Sequence, residues 1–360
     1  MKLTFRKCCQ FVCATIVIGL LASCGSDNST KRNLPDISDI DVNVELIRYD
    51  EILFDIDTLK VSEGLNELYA SYPAFTELYF NQLTGFYNPD RDTFELTVTN
   101  FLQDKNMRNL QEKIENEFDD LSDIEKGLAR GLGFLKYYFP KYKEPVFYTL
   151  NSEFGYQSFI FNEVQRPQPN ARDGIGIGLD LFLGSDFNYK RVDPKNPSFS
   201  NYLVRTYNRD HIISKSMTVI AKDILGEAAG KRFIDQMIHN GKELYLLEHF
   251  LPESHDTIIM EHSLKQAEWL KNNELEIWSY FLEKNLMYET NFFEINKYLN
   301  PSPHSPGMPP EAPGKTANFI GLQIVKSFMR RNPEMNLQDL IAFVDNQKLL
   351  EMAKYKPKRR

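Results

Sequence analysis

The stretch "GIGIGLDLFLG", residues 174 to 184, decides the fold. Glycine and isoleucine alternate, and an apolar run follows up to a further glycine. Alternation with a period of two is the signature of a strand. The glycines also invite a dinucleotide-binding reading, in which GxGxxG sets a pyrophosphate on a helix N-terminus. That motif fails at its third glycine, where Leu179 stands, and these glycines lie inside a strand pattern instead of opening a helix. The stretch therefore reads as a glycine-rich edge strand or a closely packed one. "EPVFYTL" (144–150) and "QSFIFNE" (157–163) share its character. They are short, β-branched or aromatic, and punctuated by Gly, Pro and Asn, so all three read as strands of one small sheet.

Helical patterns surround this sheet. "DVNVELIRYDEILFDID" (41–57) alternates Val42, Val44 and Leu46 before turning helical. Residues 58–84 read as helical with a break at Pro73, and further helices are expected near 93–104, 107–118 and 121–138. Ser122 and Glu125 form a capping-box pattern in the last of these, and Pro140 stops it. After the sheet come "YLVRTYNRDHIISKSMTVIAKDIL", "AAGKRFIDQMIHNGKELYLLEHF" and "HSLKQAEWLKNNELEIWSYFLEKNLM", each read as helical. A proline-rich loop spans Pro301 to Pro313, and two final helices are expected near 317–331 and 336–353. There is no internal repeat and no regular βα alternation. The expected class is α+β, predominantly helical with one small central sheet. A single globular domain is expected over 41–353, helical to about residue 140, with a basic tail at 354–360.

The N-terminus reads as an export signal. Lys2, Arg6 and Lys7 precede an apolar core from Phe11 to Ala22, about a dozen residues where a spanning helix needs roughly 20. Leu21-Ala22-Ser23-Cys24 is a lipobox, the pattern at which bacterial lipoproteins are acylated on Cys and cleaved before it. Residues 1–23 are thus a signal peptide, and diacylglyceryl and N-acyl groups on Cys24 tie the chain to a membrane through residues 24–40, a polar tether. Cys8, Cys9 and Cys13 leave with the signal, so neither a disulfide framework nor a cysteine metal site is expected. Gly25, in place of the Asp that often retains lipoproteins in the inner membrane, favours the outer membrane, and the sparse acidity after Cys24 favours its periplasmic face.

Removing the three basic residues of the signal from 42 leaves 39 against 50 acidic ones, a net charge of −11. Such a balance argues against nucleic acid as a partner. The 26 Phe and 18 Tyr suggest a core packed with large rings, with a carbohydrate-stacking surface as the alternative. Most motifs of catalysis are missing. "APGKTANFIG" (312–321) contains Gly-Lys-Thr, but Pro309 replaces the upstream glycine of a phosphate loop. GxSxG is absent. Carboxylate neighbours such as Glu274 with Glu276, or Asp119 with Asp120, arise readily among 50 acidic residues. A zinc peptidase needs two histidines one helical turn apart with a Glu general base between them. HExxH is absent, and no two of His211, His239, His249, His255, His262 and His304 are four apart.

In order and spacing, several segments together resemble the gliding motility-associated lipoprotein family GldB. They are the lipobox at Cys24, "IRYDEILFDID" (47–57), "YPAFTELYF" (72–80), "IGLDLFLGSDFNYK" (177–190), "IDQMIHNGKELYLLEHFLPE" (234–253), "NELEIWSYFLEKNLMYET" (273–290), "APGKTANFIGLQIVKSFM" (312–329) and "KYKPK" (354–358). That family in turn looks like a distant relative of zincin metallopeptidases. The helix after "GIGIGLDLFLG" carries His211 alone in "NRDHIISKSM", and Asn240 precedes Gly241 where a ligand Glu would stand. The resemblance implies a zincin-like fold without its metal motif.

It also implies a non-catalytic, lipid-anchored envelope protein that supports gliding motility or type IX secretion by binding other envelope proteins. No cofactor, metal or catalytic residue is expected. Gly314, Lys315, Gly321 and Gln323 are the candidate partner-binding residues. The alternative expectation is a residual metallopeptidase using His211, His239 or His249 with acidic ligands from separate helices.

Overall fold

The computed structural model describes residues 34–163 and 172–357. The signal, Cys24 and most of the tether lie outside them, as do the last three residues of the basic tail. Asp36–Arg360 form one compact unit.

At the centre of that unit is a four-stranded mixed sheet of β1 (Glu45–Ile47), β2 (Val146–Leu150), β3 (Ser158–Asn162) and β4 (Asp173–Gly178), in the order β1-β2-β4-β3. β1, β2 and β4 run parallel, and β3 lies antiparallel against β4. The glycine-rich strand is therefore interior, not an edge. Its glycines answer to β3, where Phe159 pairs with Gly176 and Phe161 with Gly174. A Cβ at either glycine would come within 2.1 Å of the facing ring. Two Phe side chains lie across the bare backbone of β4, which buries apolar surface a larger residue would displace.

Alternation gives each face of the sheet its own core. Val146, Tyr148 and Leu150 face one cluster with Tyr49, Phe75, Tyr79 and Phe80. Phe147, Ile175 and Ile177 face the other, with Leu128, Leu132, Met217 and Ile220. The strand expected to reach residue 184 stops at Gly178 and turns into 3-10 helix over Leu179–Phe182. The cause is Asp180, fully buried, whose carboxylate accepts from the Ser152 N–H at 2.9 Å, the Ser152 hydroxyl and the Phe154 N–H. It closes the turn between β2 and β3 and draws the backbone out of the ladder.

Among the described residues six α-helices precede β2: α1 (Tyr49–Phe54), α2 (Val61–Ser71), α3 (Pro73–Leu78), α4 (Arg91–Gln103), α5 (Lys105–Glu117) and α6 (Ser122–Tyr138). Pro73 opens α3 as its first residue, where a missing N–H costs nothing. After the sheet come α7 (Asn201–Val204), α8 (Ile212–Leu225), α9 (Phe233–Phe250), α10 (Asp256–Ile259), α11 (Leu264–Asn272), α12 (Glu274–Glu283), α13 (Phe292–Leu299), α14 (Thr316–Arg331), α15 (Leu337–Ala342) and α16 (Asn346–Ala353). Several stretches expected as single helices are broken. The run from Tyr202 to Leu225 breaks at Asn208, which is extended, and α8 resumes after a 3-10 turn at Arg209–His211. α13 was not expected at all; Asn291 starts it by accepting from the Phe293 N–H. A third core joins α9, α11 to α14 and α16 around Phe233, Phe281, Ile320 and Phe328. The result is a predominantly helical α+β fold with one small sheet.

α9 and α14 cross at glycine. A Cβ on Gly321 would sit 1.9 Å from the Met237 carbonyl oxygen, and one on Gly241 would sit 2.2 Å from the Gly321 carbonyl carbon. The two backbones touch there.

Candidate functional site

A cleft of about 1080 Å³ opens between α8, α9, β3 and the start of α14. Helical spacing supplies its walls. Lys215, Val219 and Lys222 project from one face of α8, and Gln236, Asn240, Glu243 and Leu247 from one face of α9. Ser158 and Ile160 of β3, Asn296 and Leu299 of α13, and Lys315 and Asn318 of α14 complete them. Among the described residues no Phe, Tyr or Trp lines this cleft.

Glu261 is the centre of its charge. One carboxylate oxygen takes the Lys315 ammonium at 2.6 Å, and the other takes Lys215. Burial alone would raise this carboxyl, but the two ammonium groups outweigh it and hold Glu261 well below the usual carboxylate range. Arg205 donates to the Glu261 carbonyl from behind. Both members of the Lys315 pair have unusual backbone, with φ of 55° at Glu261 and 60° at Lys315. The left-handed region costs an L-residue roughly 1–2 kcal/mol. Glu261 owes its conformation to the end of α10, where the His262 N–H reaches back to the Thr257 carbonyl at 3.1 Å. That bond is the outer one of a Schellman turn, whose αL position is most often glycine.

Around this pair stand Glu243, pushed upward chiefly by burial, with Lys222 at 3.9 Å, and Asn240, which donates to Asn318 at 3.0 Å. His262, 5% exposed, donates from Nε2 to the Gly314 carbonyl at 3.0 Å. Burial, aided by repulsion from Lys315, lowers it to about 4, so the ring is neutral at pH 7. A neutral ring that donates from Nε2 keeps a bare acceptor at Nδ1. That atom is buried and has no hydrogen-bond partner.

The histidines are scattered. His211 is buried at the foot of α8, where Nδ1 donates to Asn208 at 2.9 Å. His249 Nδ1 donates to the Tyr245 carbonyl at 2.7 Å, and His255 Nδ1 accepts from the Thr257 N–H as the cap of α10. His304 is exposed, and His239 lines the cleft. A zinc site of the kind a zincin relation implies does not fit these residues. Lys215 stands one turn after His211 where a second histidine would be needed, and both Glu261 oxygens hold ammonium groups. Among the described residues no group of three or more His, Cys, Asp and Glu side chains is arranged for a metal.

Of the four residues expected to bind a partner, Lys315 lies in the cleft. Gly314 is buried beside it, where a Cβ would sit 2.4 Å from the Ser302 nitrogen. Gly321 is enclosed in the α9–α14 crossing and offers no surface, and Gln323 is half-buried on α14, away from the cleft lining. Sequence reasoning missed Lys215, Glu243 and Glu261. Nothing in a single sequence marks a lysine and a glutamate 46 residues apart as neighbours.

The model of the family described as gliding motility protein GldB matches residues 30–357. No curated protein and no solved structure matches the chain.

Proposed function

The chain belongs to the gliding motility protein GldB family, and from that premise we propose that it is a lipid-anchored, non-catalytic component of the gliding or type IX secretion apparatus, working by binding other envelope proteins. The family is one of lipoproteins, consistent with a cell-envelope location. The lipobox at Cys24 supports anchoring, Gly25 supports the outer membrane, and the sparse acidity after Cys24 supports a domain on its periplasmic side.

The observation that carries the binding reading is the Lys215–Glu261–Lys315 cluster in a roomy cleft. General acid–base or nucleophilic catalysis needs a nucleophile within hydrogen-bond reach of a base. Here the acid of the cluster is held ionised and saturated by two cations, and among the described residues no serine, threonine or cysteine is seen bonded to a histidine in the cleft. Such a cluster recognises groups.

Allelic replacement in a gliding host tests the role. Deletion and Cys24→Ala are each expected to stop colony spreading, and the parent gene to restore it; spreading and secretion intact after deletion would overturn the proposal. Metal analysis of the full chain, purified in detergent without chelator, tests its non-catalytic part. No bound zinc is expected, and about one zinc per chain would return the metallopeptidase alternative to first place.

A further inference from the structure

The cleft's own chemistry narrows what it takes. Around Glu261, Lys215, Lys222 and Lys315 stand against Glu261 and Glu243, which leaves one positive charge over at this end of the cleft and matches a single monoanion, while the lining as a whole balances four lysines with four carboxylates. Beside them α14, a 16-residue helix, begins at buried Thr316 with no side-chain cap on its first N–H groups. A helix start of this kind favours an anion. The second, independent feature is His262, whose buried Nδ1 is an acceptor without a donor. An unpaired buried acceptor costs roughly 1–3 kcal/mol, so it calls for a ligand N–H. Six side-chain amides (Gln157, Gln236, Asn240, Asn296, Asn300 and Asn318) also line the cleft, with Val219, Leu244 and Met260 among them and Asp223, Glu227 and Lys231 in the same lining. Amides pair with peptide groups, and among the described residues no aromatic ring offers the usual platform for a sugar. The volume of about 1080 Å³ is at the upper end for ligand pockets and holds several residues.

We propose that this cleft binds the free C-terminus of a polypeptide, its terminal carboxylate held by Lys315, Lys215 and the first amides of α14, and the N–H of its last residue given to Nδ1 of His262. This rests on the binding reading above and names the feature of the partner that is recognised. The strained backbone at Glu261 and Lys315 has its use here: it places the two lysines and the helix start around one point before the ligand arrives.

The test uses the full chain in detergent micelles and two pools of randomised hexapeptides, one with free C-termini and one amidated. Retention in equilibrium dialysis is measured for each, with inorganic phosphate and acetate as competitors. The free-carboxylate pool should be retained at least tenfold better than the amidated pool, with acetate competing and phosphate no better than acetate. Lys315→Ala should remove that preference with the thermal melt still cooperative. Should Lys315→Ala fail to fold, Lys215→Met serves as the second variant, since it also leaves Glu261 only one cation and no charge over. Equal retention of the two pools, or stabilisation by phosphate alone, would overturn the proposal. The gliding assay separates the two ideas. Peptide binding lost in Lys315→Ala with spreading unaffected would keep this site and sink its role in motility. Spreading lost in Lys315→Ala without any peptide preference would do the reverse.

Discussion

Glu261 stands where a Schellman turn ordinarily has glycine, and a glycine would relieve the backbone there. Its side chain must return more than the strain costs, and it does so by holding Lys215 and Lys315 together. Removing one partner of a buried ion pair costs about 3–5 kcal/mol; these side chains are about one-fifth exposed to the cleft, which reduces the figure. Glu261→Gln should therefore destabilise the chain by about 2 kcal/mol at pH 7. The pH dependence has a definite sign. A carboxyl held below its ordinary 4.5 in the folded state contributes stability above that pH and loses it as pH falls further. Parent and Glu261→Gln should differ in urea denaturation at pH 7 and converge in acid. A constant difference down to pH 3 would show that the pair does not hold this carboxylate ionised.

At the level of elements, two glycine contacts set distances. Gly174 and Gly176 let β3 lay Phe161 and Phe159 over the sheet, and Gly241 and Gly321 let α9 and α14 touch. The period-two pattern of "GIGIG" made the first legible, because alternation and bare positions are both local signals. The second was not legible. Gly241 and Gly321 are 80 residues apart, and each alone is simply a helix glycine with a cost of about 1 kcal/mol. The same holds for the broken helices, since the apolar period continues across Asn208 and only the extended backbone there reveals the stop. Gly321→Ala would set a Cβ against the Met237 carbonyl, a backbone atom that cannot turn aside. The helices must part, at about 1–3 kcal/mol or more. Because both helices wall the cleft, the variant should also weaken peptide retention while Lys315 and Glu261 remain in place. A melt equal to that of the parent would mean the crossing is looser than its geometry.

For the whole molecule, the class was legible in the sequence because the strands cluster in one region and helices fill the rest. The cleft was not, since its charges come from α8, the loop after α10 and α14. These segments meet only when the C-terminal helices close on the sheet side. That assembly buries two neutral histidines, His211 and His262, each lowered to about 4 by burial. Their ordinary value is 6.5. As pH falls from 6.5 toward 4, the unfolded chain takes up protons that the folded chain refuses, so each histidine withdraws stability across that window. The limit is about 3 kcal/mol each, at 1.36 kcal/mol per pH unit. Asp180, raised to about 6 by its burial, acts in the opposite sense over the lower part of the same window and cancels part of the loss. Thermal melts of the parent alone would therefore mix the two. The histidine contribution is isolated by comparison: His211→Gln with His262→Gln should be less stable than the parent at pH 7.5 and should lose less between pH 6.5 and 4.5. Equal losses in parent and double variant would place the acid response of the fold in its carboxyl groups instead.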